Sequence, residues 1–235
     1  MYNMKKSVDI GIAVHNEEKN IGNLLNTLAN QKIDYNIKNV FIVCSGCTDR
    51  SVSIVKDSQK KYTKIRLLLE SERKGKYSAI NKILRVSKAD FLILINADTA
   101  PKNNSIKFLL EVLENRSDAV SGKPVCDVPR NSLAGYIQNF VWEYHDELSK
   151  NFPTITGEIC GIRNKVINRI PEKVINDDEY LAAVISKKCH IEYVPRAETK
   201  IVENMTLGQF IKKRRRFAQG HFQINKMRKT NSPSI

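Results

Sequence analysis

Three groups of residues place reactive side chains at suggestive spacings. Asn96, Ala97 and Asp98 directly follow the apolar run Phe91 to Ile95. A carboxylate there suits a hard divalent cation, Mg²⁺ or Mn²⁺, which proteins often hold with one or two carboxylates while substrate phosphates supply further oxygens. A turn Asp ahead of Pro101 would read the same way locally. Asp177 and Asp178 are neighbouring carboxylates that lead into a helical pattern. Partly buried, each would raise the pKa of the other; exposed, they would be an ordinary acidic helix start. The third group is cationic: the turn Arg73-Lys74-Gly75-Lys76 and the run Lys212 to Arg216. Cys44 and Cys47 form a lone C-x-x-C with no second pair or His cluster behind it, which reads as two small residues around a turn and not as a zinc site. The four histidines, His15, His145, His190 and His221, are scattered, with His221 beside the basic run.

The elements that must position these groups alternate. Val8 to Val14, Val40 to Cys44, Ile65 to Leu69 and Phe91 to Ile95 are short β-rich runs. Between them apolar residues recur at helical spacing: Ile21, Leu24, Leu25 and Leu28, then Val52 and Val55, then Ala79, Ile80, Ile83 and Leu84. Asn16 reads as an N-cap for the first helix. Strand–helix alternation predicts a mostly parallel sheet flanked by helices, with ligands beyond the carboxyl ends of the strands. The polar clusters at 15–18, 44–49 and 96–99 all fall at such ends and should share one crevice. Further on, Thr154 to Ile162 reads as a strand, and His190 to Val194 as a strand stopped by Pro195. Leu133, Tyr136, Ile137, Phe140, Val141, Tyr144 and Leu148 form a helical stripe expected to pack on the sheet, with Trp142 in the core. A last amphipathic helix carries the basic run.

Composition limits the classes. The 235 residues carry 39 Lys and Arg against 25 Asp and Glu, a net charge of +14. From Arg196 onwards there are ten basic residues against two acidic ones, so the excess is local and points to an anionic partner. Five cysteines are too few for a disulfide scaffold, and no apolar run approaches the roughly 18 to 20 residues of a spanning helix. No signal-peptide pattern is read at the start, so the expected location is cytoplasmic, with peripheral contact at the inner membrane face through the polybasic run. One domain over 1–235 with two functional halves is expected, ending in a basic C-terminal helix at 206–235.

Taken in order, the motifs resemble the family 2 glycosyltransferases of the GT-A fold. The match runs through Ala13-Val14-His15-Asn16-Glu17-Glu18, Ser45-Gly46-Cys47-Thr48-Asp49, the Gly-Lys turn leading to Asn81, Asn96-Ala97-Asp98, Thr156-Gly157-Glu158, Asp177-Asp178 and Arg214-Arg215-Arg216-Phe217-Ala218-Gln219-Gly220. It covers roughly residues 8 to 223. The resemblance implies a GT-A-like fold with a Rossmann-like nucleotide-binding half at 1–100 and an acceptor half at 101–205. It also implies an inverting transfer of a single sugar from a nucleoside diphosphate sugar, of UDP or GDP type, to a hydroxyl acceptor, lipid-linked or a cell-surface glycan. Val14, His15, Asn16, Glu17, Cys44, Ser45, Gly46, Lys76, Asn96 and Ala97 would then line the nucleotide site. Asp98 would bind the metal, Mn²⁺ or Mg²⁺. Asp178 would be the general base with Asp177 beside it, and Gly157, Glu158, Arg215 and Arg216 would contact acceptor or phosphate.

Departures from the family pattern matter. Cys44 and Ser45 replace an Asp pair, which weakens the case for a uridine donor. Asn96 replaces the first Asp of the metal motif, leaving metal binding mainly to Asp98. Lys213 and Phe217 replace the Gln and Trp of processive synthases, favouring one sugar per encounter. Rival readings are a sugar nucleotidyltransferase, counted against by HNEEKN where a Gly-rich loop is expected, a nucleic-acid binder using the basic C-terminus, and a catalytically silent relative. No specific nucleic-acid partner is expected, and the sequence does not indicate an oligomeric state.

Overall fold

The structure, a computed structural model, describes residues 6–31, 33–201 and 205–229. Its strands are β1 (Ser7–Val14), β2 (Asn36–Ser45), β3 (Ile65–Glu70), β4 (Phe91–Asn96), β5 (Thr99–Pro101), β6 (Ala119–Cys126), β7 (Ile159–Arg163) and β8 (Ile191–Ile201). They form one sheet in the order β3-β2-β1-β4-β7-β6-β8-β5. β3, β2, β1 and β4 run parallel, as do β6 and β8, whereas β7 lies antiparallel to both β4 and β6, and β5 antiparallel to β8. The mostly parallel sheet expected from the alternation is present.

Helices cover both faces. α1 (Ile21–Ala29), α2 (Ser51–Lys61) and α4 (Ser105–Asn115) pack on one side, where Ile10, Ile12, Ile42 and Ile93 meet Leu24, Val55 and Leu109. α3 (Lys76–Val86) and α6 (Asp177–Ile185) pack on the other, where Phe41, Val43, Leu92 and Leu94 meet Ile80, Ile83, Leu181 and Val184. Alternate residues of each central strand are thus buried on opposite faces, which is why these strands read as unbroken apolar runs. Two longer helices, α5 (Leu133–Asn151) and α7 (Leu207–Lys229), complete the chain. α7 carries the basic run, and residues 230–235 of the helix expected over 206–235 lie outside the described residues.

Several local expectations are corrected. α1 begins at Ile21 with Asn20 as its N-cap, and Asn16 instead takes a left-handed conformation (φ 56°) four residues earlier. The strand expected from Thr154 starts only at Ile159. The Thr156 backbone N–H donates to Ser121 Oγ at 3.2 Å, its hydroxyl lies 3.0 Å from the same oxygen, and Gly157 and Glu158 form a bend. Pro195 does not end β8. The pairing with β6 jumps from Gly122↔Val194 to Lys123↔Glu198, and the extra residues make a bulge in which a proline, lacking an N–H, is tolerated.

The largest correction is α5. Leu133, Tyr136, Phe140, Tyr144 and Leu148, expected in the core, are exposed, while Gly135, Gln138, Asn139, Asp146 and Ser149 are buried. Hydrogen bonds hold this inner face. Gln138 Nε2 donates to the Met205 carbonyl at 3.1 Å and Asn139 Nδ2 to the Val128 carbonyl at 2.8 Å. Asp146 accepts from the Tyr193 hydroxyl at 2.5 Å and pairs with Lys123 at 2.8 Å. Trp142 is half-buried beside Phe210 and Phe217 of α7.

Candidate active site

A cleft of about 260 Å³ opens beyond the carboxyl ends of β1, β2 and β4. Two walls enclose it, and they are built differently.

The first wall consists of strand-end loops tied to one another by side chains. Asn16 reaches from the β1 loop to the β2 loop. Its Oδ1 accepts the Thr48 backbone N–H at 2.8 Å, and its Nδ2 donates to Thr48 Oγ1 at 3.2 Å. The Glu18 backbone N–H donates to Asp49 at 2.9 Å, while the Glu18 carboxylate accepts from the backbone and side chain of Arg50, which holds its pKa below the usual range. His15 Nδ1 donates to the Ser45 carbonyl at 2.7 Å. At Gly46 (φ 56°) a β-carbon would lie 2.4 Å from the Arg73 backbone nitrogen, so glycine alone lets the β2 loop pass the Arg73 turn.

The second wall carries the charge. Lys76, the first residue of α3, pairs with Asp177, the first residue of α6, at 2.9 Å. Burial works against the Lys76 ammonium, but Asp177, Asp178 and Glu158 outweigh it and keep it protonated. Withdrawal from water raises the pKa of Asp178, and Asp177 adds to the rise. Burial, with Asp178 and then Asp98 nearby, lifts Glu158 to about 7. A methyl group on Gly157 would sit 3.0 Å from Lys76 Nζ, 3.3 Å from Asn96 Nδ2 and 3.5 Å from Asp178 Oδ2, so the bare glycine lets these three groups converge.

α7 is clipped to the turn that presents the Asp pair. Asn176 Nδ2 donates to the Phe217 carbonyl at 3.0 Å and to Glu179 at 3.1 Å. Gln223 accepts the Ile175 N–H at 3.0 Å and donates to the Lys173 carbonyl at 3.0 Å, and His221 meets Glu179 at 2.5 Å. Gly220 packs directly on Asn176, where a β-carbon would come within 2.2 Å. Asn176 had no signal of its own beyond standing ahead of the Asp pair.

Of the residues expected at the site, Val14, His15, Glu17, Ser45, Lys76, Asn96, Ala97, Asp98, Glu158, Asp177, Asp178 and Arg216 line this cleft. Gly157 lines the adjoining floor under Lys76 and Asp178. Four do not line it. Cys44 is 1% exposed in the apolar core, and burial raises its thiol to about 12. Asn16 and Gly46 shape the wall from behind. Arg215 points elsewhere on α7, and Lys213 and Phe217 join Arg216 at the cleft instead. Arg214 stacks on the Phe210 and Phe217 rings at 5.3 and 5.5 Å, and burial lowers its pKa against the opposing pull of the Glu158 carboxylate.

Among the described residues no three or more His, Cys, Asp or Glu side chains converge as a complete metal site. The arrangement still fits a hard cation shared with a ligand. Burial first raises Glu158, and the Asp178 and Asp98 carboxylates add to the rise, a negative field that a cation beside Asp98 would relieve.

Known proteins share this architecture. The mannosyltransferase PcManGT from Pyrobaculum calidifontis, solved in complex with GDP-Man and Mn²⁺, superposes with a TM-score of 0.71 at 20% identity, over 93% of this chain and 62% of that one. TarS 1-349 from S. aureus, solved in complex with UDP-GlcNAc, gives 0.64 at 18% identity, over 86% and 59%. Both are GT-A glycosyltransferases, and the fold here is GT-A. Among curated relatives, the probable glycosyltransferase YdaM of Bacillus subtilis is 27% identical over 93% of this chain and 56% of its own length. A poly-beta-1,6-N-acetyl-D-glucosamine synthase of Staphylococcus epidermidis is 24% identical over 91% and 54%. The chain therefore spans about half the length of these relatives. The profile described as Glycosyl transferase family 2 matches residues 9–170, and the chain belongs to that family.

Proposed function

We propose that this chain transfers a single sugar, with inversion, from a nucleoside diphosphate sugar of UDP or GDP type to a hydroxyl acceptor, lipid-linked or part of a cell-surface glycan. The observation that carries the reading is the convergence of Asp98, Glu158, Lys76, Asp177 and Asp178 in one cleft whose opposite wall is the braced strand-end loops. Residues 1–100 would hold the donor and 101–205 would present the acceptor within one domain.

In this reading, His15, Glu17 and Ser45 surround the nucleoside, and Asn96 and Ala97 floor the ribose and diphosphate. Asp98 would hold Mn²⁺ or Mg²⁺ at the diphosphate end of the site. When bound, the cation stabilises charge developing on the departing diphosphate. Arg73, Lys213 and Arg216, at the rim, add positive charge on the same side. Asp178 takes the proton of the acceptor hydroxyl as its oxygen bonds to the anomeric carbon and the bond to the diphosphate breaks. Its raised pKa makes it a stronger base than a solvated aspartate. Lys76, paired with Asp177 at 2.9 Å, fixes the position of the neighbouring carboxylate beside Asp178.

The test is thermal stabilisation by UDP, GDP, dTDP and CDP, each with Mn²⁺ and with chelator, because a ligand bound only to the folded state raises the melting temperature. A metal-dependent rise with one nucleotide is expected. No rise with any of them, for folded protein, would overturn the reading.

A further inference from the structure

The exposed apolar residues are not scattered. Among the described residues, nine of the eleven large hydrophobic side chains left exposed lie on α5, at its C-cap or on α7. On α5 they are Leu133, Tyr136, Phe140, Tyr144 and Leu148, with Phe152 (74% exposed) at the cap. Their spacing puts them on a single stripe along a helix about 28 Å long. On α7, Leu207, Ile211 and Phe222 share one outer face, and Phe222 is 77% exposed. α5 and α7 pack side by side.

Charge decides what would cover this surface. α7 contains eight Lys and Arg and no acidic residue. Lys212, Arg214 and Arg215 are exposed on the helix beside that apolar face. The three acids of α5 are already matched: Glu143 pairs with Arg130, Asp146 with Lys123 at 2.8 Å, and Glu147 with Lys150 at 2.6 Å. The surface is therefore apolar, aromatic and cationic, with no unmatched negative charge on either helix. A second copy docking here about a twofold axis would set the two cationic helices near each other, where they repel. An anionic bilayer offers headgroups for the cations and an acyl boundary for the aromatic stripe. Among the described residues no helix is long and apolar enough to cross a membrane, so these helices would lie on the surface.

We propose that the outer faces of α5 and α7 form a docking surface for anionic lipid. The surface lies outside the cleft, and its test reads binding, not turnover, so it stands or falls separately from the reaction proposed above. The chain is sedimented with vesicles of phosphatidylcholine containing about 30 mol% phosphatidylglycerol and with vesicles of phosphatidylcholine alone. Binding to the anionic vesicles is expected, weakening as ionic strength rises from about 0.1 to about 1 M. The double substitution Phe140→Asp, Tyr144→Asp should lower partitioning by about tenfold or more. Both side chains are exposed, so the circular dichroism spectrum and melting temperature should hold. Leu69→Asp, exposed on β3 away from this face, should leave partitioning unchanged. Three results would overturn the proposal. They are equal binding to both vesicle types, partitioning that the double substitution does not change, and lipid-independent dimerisation that the double substitution abolishes.

Discussion

The two walls of the cleft hold their shape by different means. The strand-end wall is fixed by a sheet buried on both faces and by short side-chain bridges such as Asn16 to Thr48 and Glu18 to Arg50. The opposite wall, carried by α3 and α6 on the apolar core, is secured to the longer helices by polar ties: Asn176 and Gln223 tie α7 to the turn that presents the Asp pair, and Gln138, Asn139 and Asp146 seat α5. Apolar packing tolerates small shifts, whereas a hydrogen-bonded seam fixes distance and angle. In the proposed reaction the donor would meet a preformed frame, and Asp178 would depend on a few directional contacts.

That contrast can be broken one residue at a time. Asp178→Asn should leave nucleotide binding intact and lower transfer by about a hundredfold or more, read as kcat with donor KM unchanged. Asp177→Asn acts on pH. Asp178 titrates above an ordinary aspartate, so transfer should fall as pH drops through that raised value. Removing the neighbouring charge, and releasing Lys76 to act on Asp178, lowers the pKa, so the acid limb of the profile should move down by about one pH unit.

Gly220→Ala drives a methyl group into Asn176. It should destabilise the fold by about 1–3 kcal/mol and cut turnover several-fold, with donor affinity retained. Adding Asn176→Ser should recover part of both, as a coupled pair requires. Asn16→Ala removes the bridge between the donor loops and places alanine at positive φ. A loss of about 1 kcal/mol and a few-fold weaker nucleotide binding, without a change in kcat, are expected from calorimetry and kinetics.

Sequence pattern carried residues 1–100 well. β1 to β4 and the helices between them are local units whose apolar periodicity comes from burial, so pattern and position agree. The Asp pair at the head of α6 and Asp98 beyond β4 were legible for the same reason: each sits where an element ends. The second half was less so. β6 contains Gly122 and Pro124, and its pairing with β8 depends on residues some seventy positions away, which no local window contains. The α5 stripe shows the sharper limit. Periodicity reveals that a helix has two faces but not which one meets the protein, and here polar side chains form the inner seam. Arg215 was expected at the cleft on motif alone. One step along a helix turns a side chain by about 100°, which is enough for Arg216, also expected there, to line the cleft while Arg215 does not.

The central claim is that Asp98 serves the donor and Asp178 the proton. Calorimetric titration of the most stabilising nucleoside diphosphate, with Mn²⁺ and with chelator, into the wild-type chain, Asp98→Ala and Asp178→Asn tests it most directly. The account predicts that Asp178→Asn binds as the wild type does, while Asp98→Ala loses the metal-dependent part of the affinity. Equal losses in both variants, or metal-dependent binding that survives Asp98→Ala, would contradict it.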